Sequence, residues 1–168
     1  SPARATDRPA EIGPVDLVLF TTKTYHTDEA ALLIKPIVNE STTVISLQNG
    51  VDAAERIGDV VGRERILGGV TWLSAAVEAP GVIGQYSQFR RIVLGELDGQ
   101  RTKRLENMAD ALQHAGPTVE VTDSISKVLW TKFVFISSVS AVGSLARVTF
   151  GEYRDVPEAR SVLKDAIG

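Results

Sequence analysis

Short apolar runs alternate with stretches of helical periodicity along this chain, and one long apolar segment follows near its end. Residues 16–20 (DLVLF) are strand formers, in a run short enough for a parallel strand buried on both faces. Residues 27–38 place Ala30, Leu33, Ile34 and Ile37 on one helical face, with Thr27 positioned as a cap. Residues 43–47 (TVISL) predict a second buried strand, closed by the turn signal Gln48-Asn49-Gly50, and residues 52–61 predict a second helix. Strand, helix, strand, helix implies a parallel sheet with right-handed crossovers, and such sheets bind ligands beyond the carboxyl ends of their strands. Thr21-Thr22-Lys23 and Gln48-Asn49-Gly50 both fall on that edge. Singly, each reads as a surface lysine or a tight turn; two polar loops on one edge of one sheet also fit a site.

Beyond residue 64 the pattern changes. Residues 65–79 read as one extended strand, Ala79-Pro80-Gly81 as a turn, and residues 82–88 and 91–96 as two further strands added antiparallel to the sheet. Residues 101–114 form an amphipathic pattern with Leu105, Met108, Ala109 and Leu112 inward and Gly116 closing the helix. Residues 118–121 predict a last strand, and Asp123 or Ser124 caps a long helix. Gly151 and Pro157 bracket a loop before a final helix over residues 157–167. The fold class is α/β.

Within the long apolar segment, residues 128–146 (VLWTKFVFISSVSAVGSLA), Lys132 is the single charged residue. Burying an unpaired ammonium is costly. In one reading, desolvation lowers its pKa and lets it exchange a proton with a substrate near neutral pH. In the other, its stem packs while the ammonium snorkels to the surface. The segment approaches the length of a membrane span, but Lys132 and Ser137, Ser138, Ser140 and Ser144 fit a buried helix of a soluble protein better.

Composition narrows the chemistry. The chain has 168 residues, 43% hydrophobic and 23% charged, with a net charge of −3 and no basic block, so neither nucleic acid nor an anionic membrane surface is the expected partner. It has no cysteine, and His26 and His114 are far apart in sequence, so no metal site is expected. The N-terminal stretch SPARATDRPAEIGPVD has no apolar core of the kind a signal peptide needs, which predicts a cytoplasmic protein.

Four segments together resemble the ketopantoate reductases (2-dehydropantoate 2-reductases): DLVLFTTKTY at residues 16–25, SLQNGVD at 46–52, GGVTWLSAAVEAPGVIGQ at 68–85 followed by IVLGELDG at 92–99, and LWTKFVF at 129–135. The resemblance implies a two-domain enzyme in which a Rossmann-type domain binds NADPH and a helical domain closes over a small 2-oxo acid. Residues 1–122 would then be the later part of the cofactor domain, a partial Rossmann-type parallel sheet with added antiparallel strands. Residues 123–168 would begin an all-helical domain for substrate binding and dimerisation, which makes a homo-oligomer the expectation. By resemblance Lys132 is the catalytic proton donor to the keto oxygen, Lys23, Asn49 and Gly50 lie at the cofactor, and Asn49 and Ser140 lie at the substrate. The reaction implied is reduction of 2-dehydropantoate to pantoate, in the supply of pantothenate and coenzyme A.

Two departures qualify the likeness. No Gly-x-Gly-x-x-Gly turn is present, since Gly81-Val82-Ile83-Gly84 has the wrong spacing and precedes no helix; the chain is expected to cover the middle of such an enzyme. The family's asparagines four and eight positions after the lysine are here Ile136 and Ser140, and another, before a glycine, is Phe150. Fewer amide donors predict a less polar 2-oxo acid. The alternatives to a reductase are a non-catalytic fragment or interaction module, self-associating through exposed apolar surface, and a related hydroxy-acid dehydrogenase.

Overall fold

A computed structural model describes residues 4–168; the first three residues of the N-terminal stretch lie outside the described residues. Five strands form the main sheet in the order β1 (Leu17–Phe20), β2 (Thr43–Ser46), β3 (Ile66–Trp72), β6 (Arg91–Glu96), β7 (Thr118–Val121). The first three are parallel, β6 is antiparallel to β3, and β7 is parallel to β6. The expected βαβα opening is present, with α1 (Thr27–Ile34) and α2 (Ala53–Val61) as the crossovers.

Side-chain alternation explains the layers. Val44 and Ile66 pack with Phe20 against Ala31, Ile57 and Val61 of α1 and α2. Their strand neighbours Ile45 and Leu67 turn to the opposite face, where α3 (Lys103–His114) contributes Leu105, Ala109 and Leu112. All four residues of β2 are buried, which is why Val44 and Ile45 are both apolar, side by side, rather than alternating apolar with polar. The α3 pattern read from sequence holds: Thr102 caps the helix by accepting a hydrogen bond from the Leu105 amide at 3.2 Å.

Three expectations are corrected. The helix from Thr27 stops at Ile34 and tightens into a 3-10 turn over Lys35–Ile37, because Pro36 cannot extend an α-helix. The single strand of residues 65–79 is two strands in two sheets: β3 ends at Trp72 in the main sheet, and β4 (Ala75–Ala79) pairs, among the described residues, only with β5 (Val82–Gln85). The loop before the last helix contains a helical turn, α5 (Phe150–Tyr153), nucleated by a capping box between Thr149 and Glu152. The last helix, α6, runs Pro157–Ile167.

The long helix α4 (Ile125–Ala146) is long and apolar enough to cross a membrane by length and composition. It lies with its first turns on β3 and β6 and its later turns against α5 and α6. It is not the buried helix expected: only Ile125, Ser138 and Val142 are buried, and Trp130 and Leu145 stand 52% and 84% exposed. Sheet and helices each cover one face of it and leave the others open.

One buried carboxylate links β6 to α3. Glu96 receives hydrogen bonds from Thr102 and from Arg104, whose Nε lies 2.8 Å away. Burial alone would raise the Glu96 pKa, but the bonds from Arg104 and Thr102 outweigh it and hold it below the usual carboxylate range. This contribution to stability is therefore present above the ordinary carboxylate pKa and is lost as pH falls through the lowered one. Arg104→Ala is expected to lower stability by about 2 kcal/mol near neutral pH, since Arg104 is partly open to water, with the difference from wild type shrinking in acid. Urea titrations at several pH values check this; a pH-independent difference would show that the ion pair is not its source.

Candidate active site

The carboxyl ends of β1, β2 and β3 lie on one edge of the sheet and meet α4 across a cleft of about 890 Å³. Its polar side is built from residues 21–24, which follow β1, and from Gln48 and Asn49, which follow β2. The facing side comes from α4 and α5 through Lys132, Phe135, Ile136 and Phe150. Thr71 and Trp72, at the end of β3, lie between them. Lys23 and Asn49, far from Lys132 in sequence, thus share one cleft with it.

Lys132 is half-buried, and its Nζ donates a hydrogen bond to the Thr71 carbonyl oxygen at 2.7 Å. The nitrogen lies 5.9 Å from the centroid of the Trp72 ring, within cation–π range. Desolvation lowers its pKa from the ordinary lysine value, and among the described residues no carboxylate pairs with it. Of three N–H donors one is engaged, which leaves two for a ligand. The ammonium is held at a strand end inside the cleft rather than snorkelling away from it.

Gln48 is the residue that sequence reasoning passed over as part of a turn. Its buried amide donates to the Thr22 carbonyl at 2.8 Å and to the Thr27 hydroxyl at 3.1 Å, tying the β2 end to the loop after β1. A polar residue directly after a buried strand was the available signal. Two residues proposed from sequence are not brought to the cleft. Ser140 lies two turns beyond Lys132 on α4 and faces a neighbouring pocket with Ser144, Arg147 and Thr149, because the helix has rotated away from the sheet edge. Gly50 turns under the β2 end at φ +104°, toward Ala53 and Leu129.

The donor set suits an anion. Among the described residues the cleft is lined by two ammonium groups, several hydroxyls and amides, and no carboxylate. The indole Nε1 of Trp72 is buried with no hydrogen-bond partner among the described residues. An acidic substrate and a phosphate-bearing cofactor both fit such a lining.

A family model described as ketopantoate reductase PanE/ApbA matches residues 1–99. The chain belongs to the ketopantoate reductase family. Its likeness to family members continues past the matched region: the 2-dehydropantoate 2-reductase of Pyrococcus horikoshii is 33% identical over 152 residues, which is 90% of this chain and 49% of that protein. The crystal structure of 2-dehydropantoate 2-reductase from Geobacter metallireducens superposes with a TM-score of 0.88 at 31% identity, over 95% of this chain and 52% of that one. A D-mandelate dehydrogenase solved with NADH and anilino(oxo)acetate shares the fold, with a TM-score of 0.79 at 22% identity over 89% of this chain and 48% of its own. The chain spans about half the length of the curated relatives it matches. The α/β sheet followed by helices is the family's fold.

Proposed function

We propose that the protein reduces a small 2-oxo acid to the 2-hydroxy acid with NADPH, in the manner of the 2-dehydropantoate reductases that supply pantoate for pantothenate. Residues 1–122 then belong to the cofactor-binding domain and residues 123–168 open the substrate domain. One observation carries this reading: a desolvated ammonium, with no carboxylate partner among the described residues, faces the loops at the ends of β1 and β2.

The nicotinamide, when bound, supplies the hydride that reaches the keto carbon. The side chains position the substrate and manage charge and proton. Lys132 donates a hydrogen bond to the keto oxygen, where negative charge grows as the carbonyl is reduced, and then gives that oxygen its proton. Thr71 holds the ammonium on station beforehand. Asn49 offers an amide to cofactor and substrate at the β2 end, and Lys23 offers a second positive charge for phosphate or carboxylate. Gln48 fixes both loops from beneath.

A proton donor must be protonated to act, so turnover is expected to fall as pH rises through the Lys132 pKa, which burial places below the ordinary lysine value. The decisive assay is NADPH oxidation by the full-length protein with a panel of 2-oxo acids, followed over pH. A rate that stays flat through the alkaline range removes Lys132 as donor. Absence of saturable NADPH binding favours the non-catalytic alternative.

A further inference from the structure

We infer that the 2-oxo acid bound in this cleft carries an apolar side chain, and that Ile136 and Phe150 select for it; this rests on the reductase reading above. The two sides of the cleft differ in chemistry. The strand-end side offers hydroxyls, amides and the Lys23 ammonium, where a carboxylate is satisfied. The helical side offers Phe135, Ile136 and Phe150, and Leu73 and Phe89 extend the apolar lining.

The apolar wall is built rather than loose. Trp72 and Phe135 have ring centroids 6.5 Å apart, Phe135 and Phe150 meet edge to face at 6.4 Å, and Phe150 meets Tyr153 at 5.5 Å. Tyr153 anchors the row: it is buried and its hydroxyl donates to the Val139 carbonyl at 2.7 Å. The capping box of Thr149 and Glu152 fixes the turn that carries Phe150. Phe135 and Phe150 nevertheless remain 41% and 39% exposed among the described residues, and both line the cleft.

Nearby hydroxyls on the helical side are already engaged. Thr131 donates to the Lys127 carbonyl, Ser137 to Val134, Ser138 to Ala166, and Thr149 to Glu152. Ser140 faces the neighbouring pocket. Among the described residues, the side chains of Ile136 and Phe150 themselves offer a ligand hydroxyl no partner, and an alkyl or aryl group set against them would cover apolar surface. That asymmetry is worth roughly tenfold to a hundredfold in kcat/KM per hydroxyl.

The reaction balances as for any 2-oxo acid: a hydride from NADPH forms the new C–H bond, a proton forms the O–H bond, and a 2-hydroxy acid and NADP⁺ result. The test is a matched pair on the full-length protein with NADPH. Trimethylpyruvate differs from 2-dehydropantoate only by lacking the terminal hydroxyl. We expect kcat/KM to favour trimethylpyruvate at least about tenfold. Ile136→Asn and Phe150→Asn are expected to reverse the order, mainly by lowering KM for 2-dehydropantoate. Preference of the wild-type protein for 2-dehydropantoate overturns the inference and leaves the reductase reading in place. Reduction of neither acid, nor of any other 2-oxo acid, overturns both. The wild-type comparison decides even if an asparagine variant fails to fold.

Discussion

Lys132→Ala in the full-length protein is expected to lower kcat for 2-oxo acid reduction by about a hundredfold to ten-thousandfold, the range spanned by loss of a positioned proton donor. Among the described residues, the other titratable group lining the cleft is Lys23, on the opposite loop, so no neighbour there takes over the proton transfer. KM for the oxo acid should change less, since the hydrogen bond to the keto oxygen strengthens chiefly as charge develops. Lys132→Arg keeps the charge yet cannot give up a proton near neutral pH, so it should recover binding without recovering turnover. Folding should survive both changes. The wild-type ammonium is half-buried with a single hydrogen bond to the Thr71 carbonyl, so its removal eliminates a desolvated charge rather than a structural tie. Steady-state kinetics with thermal melts on the same samples separate the two effects. Near-normal turnover in the alanine variant would end the proposed role.

The sequence revealed what depends on local pattern. The β2 run, the α3 periodicity with its Thr102 cap, and the βαβα order were legible because burial on one or two faces writes itself into neighbouring positions. Partition between sheets was not. Residues on both sides of Leu73-Ser74 favour extended backbone, and only the tertiary structure decides that β3 stays with β6 while β4 pairs with β5. The chemistry of Lys132 was legible as a lone charge in apolar sequence; the place of its ammonium was not. That place is set by a carbonyl 61 residues away. Gln48 shows the same limit, since the residue types that make a turn and the residue types that tie two loops together overlap. The capping box before α5 was present as Thr149 and Glu152 and could have been found from spacing alone.

The seat of α4 yields the second large effect. Gly68 of β3 and Gly95 of β6 are paired in register, and both lie beneath Ile125, the first residue of α4 and itself 2% exposed. A Cβ at Gly95 would stand 2.7 Å from the Thr122 carbonyl oxygen and 2.9 Å from the Cβ of Ile125. The first neighbour is backbone, so a rotamer change cannot relieve it. Strand propensity alone would make Gly95→Val favourable. Close approach makes it unfavourable, by about 3 kcal/mol, because the helix must lift off the sheet. Lys132 sits two turns along the same rigid helix, so the displacement should reach the ammonium and separate it from Thr71. An ångström of misplacement at a reacting group costs on the order of a hundredfold in rate. Gly95→Val is therefore expected to lose both stability and kcat, whereas Lys132→Ala loses kcat alone. Denaturant titration and turnover measured together test that contrast. If the valine variant unfolds like wild type, strand propensity has won and the glycine pair is not what sets the height of α4.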